Sequence, residues 1–158
     1  IPQRGGRGPG MNPILCIDPG ASGGLAIFDT YNDVAAWSMP EGMTAQIDAI
    51  RAASAENPNL TAVIEKVGFH RPGNSAVSTA KFARHCGHLE AALYSVGVPF
   101  EEVAPGVWMK ALGALPADKT ARKNAIKEQV ARRFPHLDVT LKTADALGML
   151  VWAMQRSN

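Results

Sequence analysis

The sequence predicts a single α/β domain, built on a mixed five-stranded sheet with an antiparallel meander at one side and helices on both faces. Three observations predict it. Three short apolar runs come first, at residues 13 to 18, 23 to 29 and 34 to 38, with only turn residues between them. After residue 43, stretches of helical period alternate with strand-like runs, the pattern of strands joined by helical crossovers. A chain of 158 residues with 46% hydrophobic content can bury one sizeable core, and it contains no repeat or linker.

Each element follows from its residues. Ile14-Leu15-Cys16-Ile17 leads through Asp18 into Pro19-Gly20-Ala21-Ser22-Gly23-Gly24, a glycine-rich turn, and then into the apolar run Leu25 to Phe28. Tyr31-Asn32-Asp33 turns the chain into the third strand. Met43 to Ala53 carries Ile47 and Ile50 at helical spacing, and Asn57-Pro58-Asn59 separates it from a strand at 60 to 65. Ser75 to Ser95 reads as a long helix with Phe82, Leu89 and Leu93 inward, followed by a short strand from Pro99 to Val103. Two helices at about 119 to 133 and 141 to 155 close the chain, separated by Phe134-Pro135-His136.

Three carboxylates stand where carboxylates are costly. Asp18 ends the first strand, Glu65 closes the run Leu60 to Ile64, and Asp145 interrupts Ala144 to Val151, otherwise a core helix. Each has an ordinary alternative: Asp18 as acceptor for the turn amides, Glu65 as a surface strand end, Asp145 as a residue favoured by the helix dipole. Together, on three separate apolar elements, they read as one metal site. A carboxylate that loses hydration stays charged only beside a compensating cation. Magnesium or manganese takes oxygen ligands, and two such ions roughly 3.5 to 4 Å apart can clamp the attacking and leaving oxygens of a phosphodiester.

Charge and cysteine usage narrow the classes further. Residues 1 to 10 show no periodicity and precede Met11, so they read as a non-native leader with the native start at Met11. Without Arg4 and Arg7, the 16 basic residues become 14 against 14 acidic, and the domain is near neutral. The distribution is uneven: Lys66, Arg71, Lys81 and Arg84 occur with no acid between residues 66 and 88. Lys110, Lys119, Arg122, Lys123, Lys127, Arg132 and Arg133 stand against only Asp118 and Glu128 between 105 and 133. Such local basic surface fits a polyanion, or else ordinary solvated helix faces. Cys16 and Cys86 have no partner at metal-ligand spacing and read as small buried residues. No stretch approaches a membrane span and no secretory pattern follows Met11, so a cytoplasmic protein is expected.

The order Ile-Asp-Pro-Gly-x-Ser-Gly-Gly, Val-Ile-Glu-Lys-Val, Ala-Pro-x-x-Trp-x-Lys and Ala-Asp-Ala-Leu-Gly resembles the RuvC Holliday junction resolvases, in the small bacterial and phage branch of the RNase H-like superfamily. The resemblance runs from about Asn12 to Gln155. It implies an RNase H-like sheet in which the first and fourth strands are neighbours, bringing Asp18 and Glu65 to one rim with Asp145 leaning over it. It implies that these three hold two magnesium ions, which manganese can replace, with Asp18 the bridge. The implied reaction is hydrolysis of a DNA phosphodiester at a four-way junction, leaving a 5′-phosphate and a 3′-hydroxyl. Lys110 and Lys119 match the lysine-bearing segments that reach junction phosphates, with Lys119 the expected catalytic lysine. The nucleic-acid-binding set expected is Phe69, Arg71, Lys81, Arg84, Lys110, Lys119, Arg122 and Lys123.

The sequence also departs from the family. A fourth ligand usually lies three residues before the final aspartate, where this chain has Lys142. On a helix, Lys142 would share a face with Asp145; it either weakens one ion site, replaces that ion electrostatically, or leaves the ligand role to Asp138. Phe69 falls one position later than the family's wedge residue, and either stacks on a base or covers the sheet end. Trp108 is read as core packing or as a stacking platform. The two-fold symmetry of a four-way junction leads us to expect a homodimer, with the small residues Ala76, Ala80, Ala83, Gly87 and Ala91 of the long helix as its interface. Three other functions compete: an ATPase using Asp18-x-Gly20 as a phosphate turn, a non-catalytic nucleic-acid-binding module, and a broader nuclease of branched DNA or precursor RNA. Two-domain closure in such ATPases argues against the first.

Overall fold

The computed structural model describes residues 10–68 and 73–157. Five strands form one sheet: β1 (Ile14–Asp18), β2 (Gly24–Phe28), β3 (Val34–Ser38), β4 (Thr61–Glu65) and β5 (Phe100–Val103). Their spatial order is β3-β2-β1-β4-β5. β1 runs antiparallel to β2 and β2 to β3, whereas β4 is parallel to both β1 and β5. The tight turns explain the first pairings and the helical crossovers the second, because parallel strands need a connection long enough to carry the chain back.

The helices are α1 (Met43–Glu56), α2 (Ala76–Ser95), α3 (Pro105–Met109), α4 (Lys119–Arg133) and α5 (Ala144–Arg156), with a 3₁₀ turn at Lys110–Leu112. Strand alternation divides the core into two layers. Leu15, Ile17, Ala62 and Ile64 pack with Ile50, Leu89 and Leu93 of α1 and α2. Ile14, Cys16 and Val63 face the opposite way, onto Trp108, Ile126, Val130 and the apolar residues of α5. Helices therefore cover both faces, and α5, buried along most of its length, is the central element of the second layer.

Helix ends follow local chemistry. Ser75 caps α2 through Ser78 N–H and Asp118 caps α4 through Ala121 N–H, each at 3.1 Å or less. α5 begins at Ala144, three residues later than its periodicity predicts, because Thr140 to Thr143 form a separate hydrogen-bonded turn. α3 and the 3₁₀ turn, five and three residues long, are too short for periodicity to reveal in the sequence. Phe82 is half-buried rather than fully inward. Among the described residues no helix is long and apolar enough to cross a membrane.

Candidate functional site

The register of β1 and β4 brings two of the acids together. Ile17 pairs with Ile64, so Asp18 and Glu65 follow at the carboxyl ends of adjacent parallel strands. By alternation they share the face of Cys16 and Val63, the face on which α5 packs. Asp145 lies in the first turn of α5, which touches β1, β2 and β4. All three positions thus lie on one layer, with Asp18 and Glu65 at the rim where ligands enter open α/β sheets.

The glycine turn that carries Asp18 is closely built. Gly20 adopts φ +111°, a conformation that favours glycine, and its carbonyl accepts from Gly23 N–H at 3.0 Å. A side chain on Gly23 would meet the Asp18 carbonyl at 2.0 Å, so the chain can fold back on the strand end only without one. From the other layer, His85 of α2 accepts a hydrogen bond from Gly20 N–H through Nε2 at 2.9 Å. Burial, and then the neighbouring His88, push the His85 pKa below its ordinary value, which keeps Nε2 available as an acceptor. His88 packs edge-on against His85 and contacts Gln46 of α1 at 2.5 Å, while Gln46 donates to the Pro40 carbonyl. A polar chain across α1 and α2 thereby braces the turn beside Asp18.

Glu65 has a partner that the sequence did not announce. The indole N–H of Trp108 donates to Glu65 Oε2 at 2.6 Å. Trp108 is fully buried, so the packing alternative describes its ring, and a base-stacking platform is incompatible with its position. The signal lay in the residue type, since a buried indole nitrogen needs an acceptor.

Asp145 is largely buried, and burial raises its pKa; Lys123 and then Arg122 on α4 partly oppose that shift. The first turns of α4 therefore bring positive charge towards Asp145. Lys119 is the first residue of that helix and is exposed. Lys110 is exposed in the 3₁₀ turn, and Lys81 and Arg84 are exposed on α2, the helix whose Phe82 and His85 reach the Gly20 turn. Phe69 and Arg71 lie outside the described residues.

The structure changes the basis of the Lys142 expectation. Lys142 is exposed in the turn before α5, not on its helical face, and its carbonyl packs against Gly24. Asp138 is exposed in the preceding loop, so the helix does not extend back to carry either residue over the site. Lys142 thus lacks the helical i, i+3 relation to Asp145, and Asp138, seven residues before Asp145, lacks a shared helical face with it.

The donor set is all carboxylate oxygen, which suits magnesium or manganese better than zinc. Among the described residues no three His, Cys, Asp or Glu side chains form a ready-made ion cage.

No family model and no curated protein matches the chain. Solved structures do. RuvC of Thermus thermophilus matches with a TM-score of 0.53 and 20% identity, over 92% of this chain and 97% of that one. T. thermophilus RuvC in complex with a Holliday junction substrate matches with a TM-score of 0.57 and 20% identity, over 89% and 91%. Fowlpox virus resolvase, in complex with substrate Holliday junction DNA, matches with a TM-score of 0.50 and 12% identity, over 92% and 99%. The chain has the RNase H-like fold of these resolvases.

Proposed function

We propose that the chain is a divalent-metal-dependent endodeoxyribonuclease that cuts branched DNA, four-way junctions foremost, as a homodimer. The observation that carries this reading is the arrangement of Asp18, Glu65 and Asp145 on one layer of an RNase H-like sheet, beside the basic first turns of α4. The likeness to two resolvases solved with Holliday junction DNA supports the substrate class.

Asp18, Glu65 and Asp145 would hold magnesium or manganese. When bound there, such ions would supply activation of a water and neutralisation of charge at the reacting phosphate. Lys119, at the head of α4, offers a compact positive charge for the negative charge that develops on the phosphate oxygens. Arg122 and Lys123 reinforce that field, and Lys81, Arg84 and Lys110 extend it as contacts for the DNA backbone. Two copies related by a two-fold axis would present two such sites to the two strands of a junction.

The experiment compares matched four-way, three-way, flap and duplex DNAs with magnesium, using wild type and Asp18→Asn. The expected result is cleavage preferring the four-way junction, abolished by Asp18→Asn with junction binding retained. Normal cleavage by Asp18→Asn would sink the site assignment. Equal cleavage of flaps and junctions would favour the broader nuclease, and binding without cleavage by wild type would favour a non-catalytic module.

A further inference from the structure

We infer that Trp108 is a positioning residue for this site: its indole N–H orients the Glu65 carboxylate, and its ring sets how closely α5, with Asp145, lies against the strand end. The inference rests on the reading of Glu65 and Asp145 as ion-holding groups. Two contacts made by one rigid side chain carry it.

The first is the 2.6 Å hydrogen bond from Nε1 to Glu65 Oε2. A donor bonded to an ionised carboxylate makes a short, strong bond, and here it comes from a fully buried ring with no freedom to wander. The second is the contact with α5. A methyl group at Gly148 would lie 2.6 Å from Trp108 Cζ3 and 3.2 Å from Cε3. Gly148 stands three residues after Asp145, on the same side of the helix. The ring thus bears on the helix one turn from the acid while its nitrogen holds the other acid.

Backbone geometry explains how Trp108 reaches this position. β5 pairs with β4 through Glu65 and Val103, and Lys66 N–H continues the ladder to the Val103 carbonyl at 2.8 Å. Pro105 then starts α3 directly, its fixed φ suiting the first helical position. One turn later Trp108 falls back over the end of β4, and Lys110 emerges on the exposed side. The spacing of Ala-Pro-x-x-Trp-x-Lys is the spacing of this reversal. Packing alone would be satisfied by any large apolar residue, and an indole alone by any backbone carbonyl. Joining the indole to Glu65 fixes a carboxylate whose orientation matters, as outer partners of metal ligands do.

The test uses the full chain, with Trp108 replaced by benzothienylalanine, which keeps the ring volume and removes the N–H, and Trp108→Phe as the genetic counterpart. Manganese binding is measured directly by calorimetry, magnesium half-saturation by single-turnover junction cleavage, and junction affinity in EDTA. The expected result is about 10- to 100-fold weaker metal binding in the benzothienylalanine protein, the range for loss of such a partner. Junction affinity and melting temperature should stay close to wild type. The Trp108 indole resonance in ¹⁵N spectra should shift on manganese-free magnesium addition, and Glu65→Gln should displace it. Unchanged metal binding in the benzothienylalanine protein, with Glu65→Gln inactive, would overturn the positioning role and leave the nuclease reading standing. Normal metal binding and cleavage by Glu65→Gln would overturn the assignment of Glu65 to the ion site, and this inference with it.

Discussion

Gly24→Ala is the sharpest test of how the site is assembled. In a strand, alanine is intrinsically preferable to glycine by roughly 0.5–1 kcal/mol. The structure predicts the opposite sign. The added methyl would lie 2.5 Å from the Lys142 carbonyl oxygen and 2.8 Å from that of Trp37, whereas ordinary contact begins at 3.4 Å. Both obstacles are backbone, so no rotamer change relieves them. Moving the Lys142 carbonyl by about 0.9 Å would displace the turn that leads into α5, and β3 would have to yield as well. Overpacking of this kind costs typically 1–3 kcal/mol. For a chain of this size each kcal/mol lowers the melting temperature by roughly 2–4 °C. Gly87→Ala is the matched control: a methyl there meets nothing within 4 Å, in a helix where alanine is favoured by about 0.8–1 kcal/mol. Calorimetric melting of the two variants should give shifts of opposite sign, and Gly24→Ala should also raise the half-saturating magnesium concentration because Asp145 moves with α5. A Gly24→Ala protein as stable as wild type would refute the close packing of the Lys142 turn on β2.

Three further outcomes follow from the same geometry. Lys119→Ala should slow single-turnover cleavage by about 10²–10³ while barely changing junction affinity, since one phosphate contact among many adds little to binding; an unchanged rate would return Lys119 to the solvated face of α4. His85, whose folded pKa is depressed by burial and then by His88, contributes stability above its unfolded value near 6.5 that is lost as pH falls through the lowered folded value, and protonated Nε2 can no longer accept from Gly20 N–H. Denaturation midpoints between pH 7.5 and about 5 should therefore fall less steeply for His85→Gln than for wild type, with His88 supplying the remaining slope; identical slopes would show that the bond does not brace the turn. Asp145 has the opposite sign: its folded pKa is raised, so stability present below the unfolded value is lost as pH rises through the folded one. In EDTA at neutral pH, Asp145→Asn should melt higher than wild type, and magnesium should stabilise the wild type alone; a variant that melts lower would mean the carboxylate is already compensated within the protein.

Much of this was legible along the chain. The apolar runs, the glycine turn and the two periodicities are local properties, and they define five strands and four long helices to within a few residues of where they stand. Asp18, Glu65 and Asp145 were conspicuous because a charged group in an apolar run is expensive wherever the chain goes. What the sequence could not contain is contact between distant segments. The indole of Trp108 meets Glu65 across 43 positions, and His85 meets Gly20 across 65. No periodicity encodes such pairs. The Lys142 turn shows the same limit from the other side: helical spacing extended α5 back over it, whereas Thr140 and Thr143 hydrogen-bond into a turn of their own and the packing on Gly24 holds it there. Local pattern determined which residues are strand, helix and acid; tertiary packing decided which face each acid shares, which donor holds it and where its helix begins, because those depend on the close approach of atoms that sequence order leaves far apart.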